Sequence, residues 1–185
     1  YPHKMLTGRK DGYLYEEHFD DISGYSNPEE SEHDFFTVGH TSTSVSLACG
    51  LAKARDLNGE SGNVIAVIGD GSLSGGEALE GLDFAGEMNT NLIVVVNDND
   101  MSIAENHGGM YKNLKLLRDT DGKAECNIFK SMGLDYVFVK DGNDLEQLID
   151  AFKSVKDSER PVAVHIVTQK GKGYKPAEEH KENWH

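Results

Sequence analysis

Residues 64–106 read VIAVIGDGSLSGGEALEGLDFAGEMNTNLIVVVNDNDMSIAEN. An apolar run, Val64 to Ile68, stops at Gly69-Asp70-Gly71-Ser72, and a second, Leu92 to Val96, stops at Asn97-Asp98-Asn99. Between them about Gly75 to Glu87 has a helical pattern, with Ala78, Leu79, Leu82, Phe84 and Ala85 on one broad apolar face. Short β-branched runs separated by a helix predict a βαβ unit in a parallel sheet buried on both faces. The expected fold class is therefore α/β, an open parallel sheet with helices on both faces. Ligands of such sheets bind outside the carboxyl ends of the strands, so Asp70 and Asn99, 29 residues apart, are expected to face one small volume.

A carboxylate and an amide oxygen held together suit a hard cation bound to phosphate. Mg2+ takes near-octahedral oxygen ligands, few of them from protein. Gly71 has no side chain to keep its N–H from a phosphate, and the following helix turns its unsatisfied N–H groups the same way.

Working outward, Val45 to Leu57 reads as a helix with Val45, Ala48, Cys49 and Ala52 inward, entered through the hydroxyl-rich turn Thr37 to Thr43. Ser or Thr there can simply cap the helix, and His40 taken alone reads as a capping or packing residue. Leu134 to Val139 predicts a strand, Asp144 to Val155 a helix with Leu145, Leu148, Ile149 and Phe152 inward, and Val162 to Val167 a last buried strand. Lys170, Gly171, Lys172 and Gly173 follow on the ligand edge, where a lysine can meet phosphate or merely solvate a turn. Tyr111 to Glu125 is polar, with an amphipathic turn at Leu114, Leu116 and Leu117. Residues Tyr1 to Phe36 show no sustained period and are expected to form a long ordered loop with short helical turns. Lys4, Thr7, Arg9 and Lys10 can each meet a phosphate but read singly as solvated surface, and Glu29, Glu30, Glu32 and Asp34 as a solvated acidic face. Glycine-flanked His107 reads as solvent-exposed.

The chain has 185 residues, four prolines and no long polar tract, enough for one domain with a real core. A net charge of -14 disfavours nucleic-acid or anionic-membrane partners but not an anionic cofactor whose metal reverses the field locally. Cys49 and Cys126 lack metal-type spacing and read as reduced thiols of a cytoplasmic protein. No apolar run reaches the length of a membrane span and no signal peptide opens the chain. It begins at Tyr1 rather than Met, which reads as a piece of something longer.

GDG, a spacer of under thirty residues and an Asn-rich strand end resemble the diphosphate-binding signature of thiamine diphosphate enzymes. YPHKMLTGRKD, SEHDFFTVGHTSTSVSLACGLA, GDGS, NDNDMSIAEN and KGKGYKPAEEHKENWH together resemble the motifs of 1-deoxy-D-xylulose-5-phosphate synthases, in that family's order. The resemblance covers nearly all of the chain but only the amino-terminal part of a family member, so residues 1–185 are expected to be a single thiamine diphosphate- and Mg2+-binding domain of a longer multidomain chain.

The resemblance implies Asp70, Asn99 and the Met101 carbonyl as metal ligands. It implies cofactor contacts at Gly39, His40, Thr41, Gly71, Ser72, Asn99, Lys170 and Tyr174, and places His185 near the reacting carbon as the candidate for proton transfer. It further implies a transferase condensing pyruvate with glyceraldehyde 3-phosphate, with loss of CO2, for isoprenoid-precursor and thiamine biosynthesis. A homodimer and the remaining domains of the parent chain are the implied partners. The family's activating glutamate and aldehyde-phosphate clamp belong to a later domain, so the piece alone is expected to be inactive. One departure stands out: the segment after Leu117 is shorter than in many synthases by roughly thirty residues, and long loops often act as lids. A transketolase-like two-carbon transferase, or its split amino-terminal subunit, is the rival enzyme. A non-catalytic binding module is the other alternative, against which the retention of Asp70 and Asn99 weighs.

Overall fold

A computed structural model describes residues 1–101 and 104–184, which fall into two compact units, Tyr1–His40 and Thr41–His185.

In the second unit the apolar runs become four parallel strands among the described residues: β1 (Val64–Gly69), β2 (Leu92–Asp98), β3 (Asp135–Val139) and β4 (Val162–Val167), in the order β1-β2-β4-β3. The longer helices are α1 (Ser44–Leu57), α2 (Gly76–Glu87), α3 (Gly109–Asp119) and α4 (Leu145–Val155). One face of the sheet packs Ala66, Ile68, Val94, Val96 and Ala163 against Val45, Ala52, Leu82, Leu114 and Leu117 of α1, α2 and α3. The other packs Ile93, Val95, Val162 and Val164 with Ala151 and Val155 of α4. Helices therefore lie on both faces, as the period of the sequence requires. Close helix–loop packing comes from Gly86, where a Cβ would stand 1.9 Å from the Met132 carbonyl oxygen.

Three details differ from the sequence pattern. Burial on both faces holds for β2 and β4, but β1 is an edge strand with Ile65 and Val67 half to two-thirds exposed. Phe84 is exposed, so the buried stripe of α2 is Ala78, Gly81, Leu82 and Ala85. Leu145 and Ile149 also face outward, leaving Leu148, Ala151, Phe152 and Val155 against the sheet. Apolar identity marks a possible face; the neighbour that covers it lies elsewhere in the chain. The segment 111–125 is more regular than expected, most of its first half belonging to the three-turn helix α3, which buries Leu114 and Leu117. Both cysteines are thiols, Cys49 buried and Cys126 exposed.

The first unit carries the expected short turns, at Pro2–Lys4, Met5–Arg9, Asp11–Leu14 and Glu16–His18, with Gly8 at φ 92°. Its polar residues correct the sequence reading. Lys4 is buried and donates to the Ser23 carbonyl at 2.7 Å and to Glu30 Oε1 at 2.7 Å. Arg9 donates to Glu30 Oε1 at 2.8 Å and to both oxygens of buried Asp34 at 2.8 Å, and the Asn27 N–H adds a bond of 2.9 Å. Lys4 and Arg9 are thus spent on internal carboxylates, and Glu30 and Asp34 are not a solvated face. The unit is organised around ion pairs, with Leu6, Leu14, Tyr25 and Phe35 exposed.

Burial pushes the Glu30 carboxyl up, but bonds from Lys4, Ser23 and Arg9 overcome this and bring it down to about 2. The Arg9 bonds hold Asp34 well below the usual carboxylate range, against burial. Both folded values lie below the unfolded ones, so their stabilisation is complete above about pH 4.5 and is lost as pH falls through the folded values. Residues 1–40 are expected to keep their amide protection at pH 5 and lose it toward pH 2. Hydrogen exchange read by peptide checks this, and unchanged protection of residues 1–40 at pH 2 would show that the ion pairs do not hold the unit.

Candidate metal and diphosphate site

Parallel pairing Gly69↔Asn97 brings the ends of β1 and β2 side by side, so Asp70 emerges next to Asp98. Asp70 opens the short helix Asp70–Leu73, and its Oδ1 accepts the Gly71 N–H at 3.0 Å. Its Oδ2 accepts Asn106 Nδ2 at 3.0 Å. Asp70 is 2 % exposed, and burial together with the Asp98 charge pushes its carboxyl up to about 6, against the Gly71 and Met101 N–H groups, which pull it down. Two carboxylates therefore face each other at this edge.

Asn99 sits in the turn that follows β2. Its Oδ1 accepts the Met101 N–H at 3.2 Å, and the Asp100 N–H reaches back to Asp98 Oδ1 at 3.1 Å. Asp70, Gly71, Asn99 and the Met101 backbone thus come together. Ser72 belongs to the same edge through its carbonyl, which accepts Ser42 Oγ at 2.7 Å; Ser42 Oγ in turn lies 3.0 Å from Thr41 Oγ1. Gly75 makes that approach possible, since a Cβ there would stand 2.1 Å from Ser42 Oγ.

Gly39 and His40 end the first unit, Gly39 beside the Tyr25 ring. Thr168, just after β4, donates its N–H to the Asp98 carbonyl at 2.9 Å and its Oγ1–H to Asn97 Oδ1 at 2.6 Å, which sets the turn bearing Lys170 beyond the same strand ends. Tyr174 is half exposed and packs edge-on against Trp184, ring centroids 5.0 Å apart. His185, Ser102 and Ile103 lie outside the described residues. His107 is exposed.

Five participants had no role in the sequence reading. Asp98, wholly buried, accepts Arg118 Nη1 on both oxygens, at 2.8 and 2.7 Å, and His165 Nε2 on Oδ2 at 2.8 Å. Tyr136 O–H lies 2.8 Å from His165 Nδ1. With the carboxylate only able to accept, His165 donates to it from Nε2, and its Nδ1 pairs with the Tyr136 hydroxyl. Burial pushes Asp98 up, yet the bonds from His165 and Arg118 win and hold it below the ordinary range. The fifth, Asn106, closes over Asp70. A signal existed in VAVHIV, because a histidine inside a buried strand must find partners.

A broad cleft of about 750 Å3 lies at the opposite end of the strands, lined by Arg55, Asn63, Asn91 and Arg160 among others. The Arg55 guanidinium is spent there on the Gly62 and Asn91 carbonyls and Thr90 Oγ1, tying loops together.

The donor set fits a divalent cation. Oxygen ligands predominate, and the Asp70 carboxylate lies buried beside Asp98, whose own charge is met by Arg118; a metal would relieve the charge on Asp70. Among the described residues no cluster of three or more His, Cys, Asp or Glu side chains could hold a metal ion.

A parallel α/β sheet with an acidic, glycine-rich strand edge is a fold used to hold phosphorylated cofactors. A solved putative thiamin diphosphate-dependent enzyme from Mycobacterium smegmatis shares it, with a TM-score of 0.55 and 18% identity over 75% of this chain and 24% of that one. The chain belongs to the 1-deoxy-D-xylulose-5-phosphate synthase family, whose sequence model matches residues 1–126 and 117–168. A synthase of that name from Clostridium botulinum is 39% identical over 220 residues, covering 100% of this chain and 36% of the relative. The one from Desulforudis audaxviator is 41% identical over 222 residues (100% and 35%), and synthase 1 of Geobacter metallireducens 41% over 215 (97% and 34%). The chain thus spans about a third of the relatives' length. The relatives' alignments are longer than the chain itself, and the family match divides at residues 117–126, where the sequence departs from the synthase pattern. Among the described residues no helix is long and apolar enough to cross a membrane.

Proposed function

We propose that this chain supplies the metal and diphosphate half of a thiamine diphosphate-dependent site that condenses pyruvate with glyceraldehyde 3-phosphate to 1-deoxy-D-xylulose 5-phosphate and CO2. The observation that carries the reading is the convergence of Asp70, Gly71, Asn99 and the Met101 backbone at one strand edge. When bound, thiamine diphosphate supplies a nucleophilic carbon and an electron sink for decarboxylation; the protein binds, orients and excludes water. Asp70, the Asn99 amide oxygen and the Met101 carbonyl would hold Mg2+. The Gly71 N–H and the Ser72 edge would meet the diphosphate, with Gly39, His40, Thr41, Lys170 and Tyr174 toward the rest of the cofactor. The remaining domains of a longer chain, or a second copy, complete the site.

The test is CO2 release from pyruvate with thiamine diphosphate and Mg2+, with and without glyceraldehyde 3-phosphate. Aldehyde-dependent release with deoxyxylulose phosphate as product supports the synthase. Exchange of two-carbon units between sugar phosphates without such release moves the protein to the transketolase branch. Residues 1–185 alone are expected to show no turnover, and measurable turnover would mean that they hold a whole site.

A further inference from the structure

Arg118 lies one residue from the end of α3, in a segment that neither motif nor periodicity marked as functional. Its Nη1 straddles the two oxygens of Asp98, while Nη2 reaches Asp100 Oδ1 at 2.7 Å. Asp98 and Asp100 flank Asn99. One planar guanidinium, itself mostly buried, therefore grips the residues before and after the candidate metal ligand.

We infer that Arg118 is a positioning residue for the metal turn, tying Asp98 and Asp100 to α3 so that the Asn99 amide and the Met101 backbone are held against Asp70. The inference rests on the reading of that edge as a metal site. Two further observations support it. Asp100 is a non-glycine residue at φ 62°, a backbone state that persists only where its surroundings hold it. It is held from both ends, its N–H by Asp98 Oδ1 and its carboxylate by Arg118. The Asp100 carboxylate is also 61% exposed, and an exposed ion pair contributes little to stability, so this arm of the fork acts on geometry.

Gly122 N–H bonds the Leu117 carbonyl at 2.7 Å and closes the helix end just beyond Arg118. Arg118 thus lies at the start of the stretch 117–126 in which the family match divides, and it holds the turn from the helix end itself.

The test uses Arg118→Lys, which keeps the charge but cannot bridge both aspartates, and Asp100→Ala, which removes the exposed arm and with it a side chain suited to φ 62°. Hydrogen exchange is measured on the metal-free protein, and Mn2+ binding by electron paramagnetic resonance with thiamine diphosphate present. Arg118→Lys should speed exchange at Asp100 and Met101 on the order of tenfold, with β2 and β4 amides unchanged. It should also weaken Mn2+ by about tenfold, as loss of an outer-shell partner does, with a smaller effect from Asp100→Ala. Unchanged exchange in Arg118→Lys, or exchange rising uniformly through β2 and β4, would overturn the positioning role. A parent protein that takes up no Mn2+ while its turn still loosens locally in Arg118→Lys overturns the metal reading and leaves the clamp standing.

Discussion

Asp70→Asn is expected to make the metal-free protein more stable above pH 7 and to abolish its response to Mg2+. The Asp70 carboxyl stands at about 6 in the fold, above its ordinary 3.8, because it is buried beside Asp98. A raised folded value means that the folded state takes the proton more readily than the unfolded chain between pH 4 and 6. The stability this provides is complete below the unfolded value and is lost as pH rises through 6. At pH 8 the parent therefore carries a cost of about 1–3 kcal/mol, which a neutral amide of the same shape removes. The amide oxygen still accepts the Gly71 N–H, and the Asn106 amide can turn its oxygen to the new Nδ2. For a chain of this size the gain corresponds to roughly 3–9 °C in Tm. Mg2+ with thiamine diphosphate, binding the folded state only, should raise the parent's Tm and leave the variant's unchanged. Proton and metal compete for one carboxylate, so metal affinity should rise from pH 5 to pH 7. Thermal melts in EDTA and in Mg2+ at pH 5 and 8 read all of this. A variant that melts below the parent in EDTA at pH 8 would show that Asp70 is not under electrostatic strain.

The second large effect lies one strand away. Asp98→Ala should cost about 3–5 kcal/mol, the usual penalty for removing one partner of a buried ion pair. His165 Nε2 would then lose its acceptor in a fully buried layer, and Arg118 would be left with Asp100 alone. Urea unfolding should show the midpoint falling with little change in slope, and Tm should fall by roughly 10 °C. Removing Asp98 also removes the charge that helps to raise Asp70, so the remaining pH dependence of metal binding should move toward lower pH. Loss of less than about 1 kcal/mol would mean that water or a rearranged Arg118 satisfies the network.

The two experiments separate stability from function at one edge of the sheet. On the proposed reading Asp70 is costly to the empty fold and would serve a metal, whereas Asp98 stabilises the fold and would act on a metal only through the Asp70 carboxyl. Strain of the first kind is expected where a site is built to bind a cation.

What the sequence settled by itself is the local, periodic part. Val64 to Ile68 and Leu92 to Val96, with a helix between them, define a parallel βαβ unit, and the strand at Val162 to Val167 has the predicted boundaries. Asp70 and Asn99 were legible because strand ends in such a sheet must share an edge, a consequence of topology that needs no coordinates. Tertiary structure alone decided which apolar residues are covered: Ile65, Val67, Phe84, Leu145 and Ile149 have the same chemistry as their buried neighbours but no neighbour over them. It also decided the fate of the charges. Lys4, Arg9, Glu30 and Asp34 look like surface along the chain and are paired inside the first unit; Arg118 and His165 meet Asp98, and Tyr136 meets His165, from three other elements. Periodicity is a property of adjacent residues, whereas a buried charge is stable only through partners far away in sequence, and no local pattern records where those partners will be.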